Sequence, residues 1–255
     1  MKQALSKLFG LDGRTVILPI DHGTAIPVPG LDRPAELIAA LAPHVDGFVV
    51  NLGLARACQE ALANSAICLR TDVYKPDLPE GSVKLFGADD AQEVGACSMM
   101  HMLYPGHADE ARILAECSDT IREGIFAGLP TIVEALPVGL GLPSAYTVEA
   151  VRFAVRQAAE LGASVVKTAF PTGASAADFR SVVQGSFVPV IVLGGAALGN
   201  DRALLSMVRD ALDAGAVGIA IGRNVWMHPD PARIARQLHA MVHRDLSVEE
   251  ALGQA

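Results

Sequence analysis

No stretch of the 255-residue sequence reaches the roughly 18–20 uncharged apolar residues that a membrane span requires. The opening stretch MKQALSKLFGLDGR lacks the uninterrupted apolar core of a signal peptide. These two absences make a cytoplasmic protein with no membrane partner the expectation. Cysteine is scarce: Cys58, Cys68, Cys97 and Cys117 form no CxxC pair, so they read as reduced, buried side chains. Basic residues are the minority charge, 20 Lys and Arg against 28 Asp and Glu, for a net charge of −8. No basic stripe is visible, which argues against a nucleic-acid partner. Any anionic ligand must be small and held locally, by backbone amides or single arginines. Nor do the histidines converge as a metal-dependent enzyme would require. His239 and His243 stand four apart near the end of the final helix without a companion carboxylate pattern, and read as a surface face. His101 and His107 straddle a Pro-Gly turn. No metal or other cofactor is expected.

What the chain does have is apolar mass: 51% of residues are hydrophobic and 19% charged. That suffices for a large core, and one (β/α)8 barrel of about 250 residues would use the whole length. A helix, then Gly-Ala, then an apolar run recurs in DAQEVGACSMMHML, VRQAAELGASVVKTAF and VRDALDAGAVGIAIG, with a looser copy in REGIFAGLPTIVEAL. Gly95, Gly128, Gly162 and Gly215 stand where helix C-termini favour a left-handed residue. The apolar runs are short and nearly continuous, as parallel strands covered on both faces should be. Eight are found: 15–20, 47–52, 66–71, 97–103, 130–136, 164–170, 189–194 and 217–222. Together they predict an α/β chain whose residues 1–255 form a single (β/α)8 TIM barrel. An open doubly wound sheet is the runner-up. It is disfavoured because there is no early GxGxxG turn and the repeat persists to the end. The Pro/Gly-broken stretch around 72–89 is long for a barrel loop and is predicted to be a lid or an oligomer contact.

In such barrels chemistry sits at the C-terminal ends of the strands. The polar residues there are Asp21 and His22, Asn51, Arg70 to Asp72, His101 and Tyr104, Glu134, Lys167 and Thr168, and the turns at Gly194-Gly195 and Gly222-Arg223-Asn224. A lone strand lysine ordinarily snorkels to the rim or pairs with a carboxylate. Inside an apolar strand, however, burial penalises the ammonium, and a neutral amine can attack a ketone to form an iminium. The iminium draws electrons from the adjacent bond, so Lys167 points to Schiff-base aldolase chemistry. Asp21 is the candidate to move the hydroxyl proton, in preference to capping the loop after its strand. His22 would either orient Asp21 or fill the loop. VLGGAALGN and AIGRNVW, on consecutive strands, match a phosphate site. Gly194, Gly195 and Gly222 would admit an anion to backbone amides, and Arg223 would add a charge-assisted contact.

LPIDHG, VVKTAFPTG, PVIVLGG and DALDAGAVGIAIGRNVW resemble the archaeal-type class I fructose-bisphosphate aldolases, within the wider Schiff-base aldolase superfamily. The likeness covers nearly the whole chain. It implies Lys167 as the Schiff-base lysine and Asp21 as the aspartate after the first strand. It also implies Gly194, Gly195, Gly222 and Arg223 as phosphate ligands, and a homo-oligomer. A phosphorylated ketose or dihydroxyacetone phosphate is the implied substrate. Relatives with other reactions make thiolase-type transfer of an acyl group to coenzyme A, a C7 aldol synthase and a non-catalytic phosphosugar binder the alternatives. One departure stands out. Where the aldolases carry Tyr-Pro-Arg-Gly after the fifth strand, this chain has Leu136-Pro137-Val138-Gly139. Leucine cannot transfer a proton, so that role passes to His101, Glu134, Tyr104, Tyr146 or a bound water. Loss of the arginine suits a substrate with one phosphate.

Overall fold

Eight parallel strands close into a barrel in the computed structural model, which describes residues 5–74, 82–138, 140 and 146–254. In chain order the strands are β1 (Thr15–Pro19), β2 (Gly47–Val50), β3 (Ala66–Arg70), β4 (Asp72–Tyr74), β5 (Ser82–Lys84), β6 (Ser98–Leu103), β7 (Thr131–Ala135), β8 (Val165–Thr168), β9 (Val190–Leu193) and β10 (Gly218–Ala220). The barrel runs β1-β10-β9-β8-β7-β6-β3-β2, and each of the eight predicted runs contains one of its strands. β4 and β5 stand apart as an antiparallel pair. They occupy the stretch expected to be a lid or an oligomer contact, of which residues 75–81 lie outside the described residues. Asp72 anchors this hairpin: its Oδ2 accepts from the Ser82 hydroxyl and from the Met102 N–H at 3.1 Å.

Six helices of eight or more residues pack outside the barrel among the described residues: α1 (Pro34–Leu41), α2 (Glu110–Ala127), α3 (Val148–Leu161), α4 (Ala176–Gln184), α5 (Asp201–Asp213) and α6 (Pro231–Arg244). The Gly-Ala repeat marks where such helices stop. Gly128 and Gly162 cap α2 and α3 with φ of 72° and 102°, where a Cβ would be strained. Gly95 and Gly215 take the same region after the six-residue helix Ala88–Glu93 and after α5. None of the described helices is long and apolar enough to cross a membrane.

Strand periodicity sorts the side chains. Ile17, Val49, Cys68, Met100, Ile132, Val165, Ile191 and Ala220 form one cluster inside the barrel. Leu8, fully buried, plugs its N-terminal end, and the Thr15 hydroxyl donates to the Leu8 carbonyl at 2.6 Å. Gly47 makes room for this plug, since a Cβ there would sit 2.6 Å from Leu8 Cδ1. Each large aliphatic side chain so buried contributes roughly 1.5–3 kcal/mol. All four cysteines are buried and unpaired, and burial pushes the Cys68 and Cys117 thiols up to about 12, which leaves them inert. His239 and His243 correct the sequence reading. They are half-buried, and His243 touches two carboxylates, Asp12 at 2.8 Å and Asp46 at 2.9 Å. Those partners are nearly 200 or more residues away in the chain, so local spacing could not show them.

Candidate active site

Continuing each interior row by two residues reaches the mouth, because alternate residues of a strand share a face. Past Ile17 the row holds Pro19 and Asp21. Past Cys68 come Arg70 and Asp72, past Ile132 comes Glu134, and past Val165 comes Lys167. The apolar barrel interior therefore ends in a layer of five charged groups, each at most 7% exposed. β7 and β8 set Glu134 directly beside Lys167 in register. Lys167 Nζ lies 2.8 Å from Glu134 Oε1. Arg70 forks across the floor: Nε donates to Asp21 Oδ2 at 2.6 Å and Nη2 donates to Glu134 Oε2 at 2.6 Å. Its Nη1 faces Asp72 Oδ1 at 3.5 Å. Asn51 Nδ2 donates to the Asp21 carbonyl at 2.6 Å and fixes the turn after β1.

Above this floor opens a cavity of about 580 Å³. Asp21, Arg70, Glu134 and Lys167 line it below, and Tyr104, Leu136, Tyr146 and Phe170 contribute walls. Gly194, Gly195, Gly222 and Arg223 border it from the β9 and β10 turns. A buried amine touching one carboxylate, at the floor of a pocket that could hold a small sugar, is the equipment of carbonyl chemistry.

A profile of the DeoC/LacD family aldolases matches residues 15–228. The chain belongs to this aldolase family. It is 32% identical over 255 residues to the class 1 fructose-bisphosphate aldolase of Halobacterium salinarum, a match covering 95% of each chain. It is 30% identical over 256 residues to a 3-hydroxy-5-phosphonooxypentane-2,4-dione thiolase of Yersinia enterocolitica, covering 98% of this chain and 85% of that one. An archaeal fructose-1,6-bisphosphate aldolase, solved with its catalytic lysine covalently bound to the carbinolamine intermediate of the substrate, superposes with a TM-score of 0.85 at 29% identity, covering 94% of this chain and 98% of that one.

The electrostatics of the aldolase pocket centre on Arg70. Burial alone would raise the Asp21 carboxyl, but Arg70, His22 and Lys167 outweigh it and bring it to about 2. Burial likewise opposes ionisation of Glu134, and Lys167 and Arg70 together hold it below its ordinary value. Both are carboxylates at neutral pH. His22 Nδ1 stands 3.5 Å from Asp21 Oδ1, an ion-pair distance too long for a good hydrogen bond, and its ring meets Trp226 edge-on at 5.6 Å. Burial pulls His22 below its usual range, against the opposing pull of the Asp21 carboxylate.

The structure does not bring His101 to this cavity. It has the opposite parity to Met100 and Met102, so it points from β6 toward α2, fully buried. There its Nδ1 meets the Thr71 hydroxyl at 2.8 Å and the Thr120 hydroxyl at 3.4 Å. Burial lowers its pKa, as suits a neutral structural ring. At the rim, Gly194 and Gly222 leave space no other residue could: a Cβ would lie 2.6 Å from Ile221 Cγ2 in the first case and 2.6 Å from the Pro19 carbonyl in the second. Asn224 ties the two turns together. Its Nδ2 donates to the Gly194 and Ala196 carbonyls at 2.9 and 3.0 Å, and its Oδ1 accepts from the Leu198 N–H at 2.8 Å. Arg223 makes no ion pair with any described residue, and its buried Nε has no hydrogen-bond partner. Arg70 and Asn224 are the residues sequence reasoning left without a role. For Arg70 the signal was present, since it sits two positions past interior Cys68, just as Lys167 follows Val165.

Proposed function

We propose that this aldolase makes or breaks a carbon–carbon bond of a phosphorylated ketose through an iminium on Lys167, with Glu134 as the proton carrier that Leu136 cannot be. The carrying observation is the 2.8 Å contact between Lys167 Nζ and Glu134 Oε1 at the floor of the cavity. Glu134 takes the proton that frees the Lys167 amine. The amine attacks the ketone carbon, and the resulting carbinolamine hydroxyl leaves as water with that proton. The iminium retains a positive charge beside Glu134. In the cleavage direction Asp21 accepts the proton of the hydroxyl two carbons from the iminium. The intervening carbon–carbon bond breaks, the aldehyde leaves, and the electron pair moves into the iminium to give an enamine. Protonation of the enamine and hydrolysis return the free lysine. The substrate phosphate lies between the turns of Gly194-Gly195 and Gly222, with Arg223, which makes no ion pair with any described residue, as its counter-charge.

Incubation with dihydroxyacetone phosphate followed by borohydride should fix the reduced adduct on Lys167, read by peptide mass. An unmodified Lys167 after several phosphoketoses refutes the iminium. Thiolase-type chemistry would show instead as product that forms only with coenzyme A and without aldehyde release. Glu134→Gln keeps an acceptor for Lys167 and removes the proton carrier. It should slow adduct formation and turnover by roughly 100- to 10,000-fold. Stopped-flow rates of trapping check this, and a variant within threefold of wild type places the proton carrier elsewhere.

A further inference from the structure

At the opposite end of the barrel from Lys167, we infer a divalent transition-metal site of the zinc type, built from His239, His243 and Asp46. The two histidines stand one turn apart on α6, and Asp46 immediately precedes β2. One potential ligand atom from each lies within 4.8 Å of the other two. His243 Nε2 and Asp46 Oδ2 are already 2.9 Å apart. Two ligands of one tetrahedral zinc, each about 2.0–2.2 Å from the ion, stand slightly farther apart than that. The two imidazole rings lie with centroids 4.4 Å apart. A small rotation of the His239 ring therefore completes a three-ligand face, with the fourth position open to solvent at this half-buried spot.

The partners behind these ligands are what distinguish the cluster from a chance grouping. His243 Nδ1 faces Asp12 Oδ2 at 2.8 Å, so a carboxylate fixes the tautomer that leaves Nε2 to the ion. Asp46 Oδ2 accepts the Val16 N–H at 2.6 Å, which holds the carboxylate at the foot of β1. Two nitrogens and one carboxylate oxygen, with no thiolate, suit zinc, cobalt or nickel rather than calcium or magnesium. The ion would staple the last long helix to the feet of β1 and β2, and so act on stability rather than on the carbon–carbon chemistry.

The full-length protein, stripped with chelator and exchanged into metal-free buffer, is titrated with zinc chloride in calorimetry and thermal unfolding. One equivalent should bind and raise Tm by several degrees. Cobalt should give the visible absorption of a low-coordinate site. His239→Ala should abolish the Tm rise and the cobalt spectrum. His239 has a ring contact but no hydrogen bond that the fold depends on, so this variant should stay folded. Asp12→Asn should weaken zinc binding roughly 10- to 100-fold, because Asp12 orients His243 and is not itself one of the three ligands. Absence of a stoichiometric zinc heat overturns the site. A Tm rise that survives in His239→Ala does so equally, because the ion is then held elsewhere.

Discussion

Lys167→Met and Lys167→Arg should both lose about 10,000-fold or more in kcat, with no borohydride-trapped adduct in either. The pair is chosen because the two substitutions fail for different reasons. Methionine fits a floor where Nζ already lies 4.0 Å from the Met100 sulfur, but it supplies no nucleophilic nitrogen. Arginine keeps the positive charge opposite Glu134, yet its guanidinium stays protonated and forms no iminium. Charge alone therefore cannot restore activity if the reaction is covalent. Electrostatic activation of the ketone by a cation predicts the reverse, with Lys167→Arg retaining activity within about tenfold. Thermal unfolding of both variants separates chemistry from folding, since Glu134 keeps its 2.6 Å bond from Arg70 in either background.

Much of this site could be read from the chain because strands obey a period of two. Asp21, Glu134 and Lys167 each stand an even number of residues beyond an apolar interior residue, so they arrive at the mouth together. His101 lies near a strand end as they do, but parity sends it to the helix side, where Thr71 and Thr120 receive it. The Arg70 network was harder to read. Its partners Asp21 and Glu134 are 49 and 64 residues away in sequence, and only closure of the barrel makes them neighbours. The same holds at the other end, where Asp12 and Asp46 reach the histidines of α6 across most of the chain. The antiparallel β4–β5 pair is hidden in the sequence because Pro/Gly punctuation dominates the stretch and the strands are three residues each. What a single sequence leaves out, in each case, is which strands become neighbours.

Arg70→Met should cost about 3–5 kcal/mol in unfolding free energy, because it removes the one guanidinium that faces three buried carboxylates. For a chain of this length that corresponds to a fall in Tm of roughly 10 °C. The direction of the pH dependence follows from the same contacts. Asp21 has a native pKa of about 2 against an ordinary value of 3.8. A depressed carboxyl stabilises the fold fully above its unfolded pKa and loses that stabilisation as pH falls through the native value. Wild-type protein should therefore hold the Asp21 contribution, on the order of 2 kcal/mol, down to about pH 4 and shed it toward pH 2. Without Arg70, burial acts on Asp21 and Glu134 with less opposition. Both carboxyls rise, and the acid limbs of stability and of kcat/KM move to higher pH. Arg70→Lys supplies one point charge and cannot fork to Asp21 and Glu134 at once, so its stability should fall between wild type and Arg70→Met. Denaturant unfolding measured from pH 3 to 8 tests the whole set. If Arg70→Met unfolds within about 1 kcal/mol of wild type and its acid limb is unmoved, the guanidinium is not what keeps these carboxylates ionised. Glu134 would then need another account of how it stays ready to take the Lys167 proton.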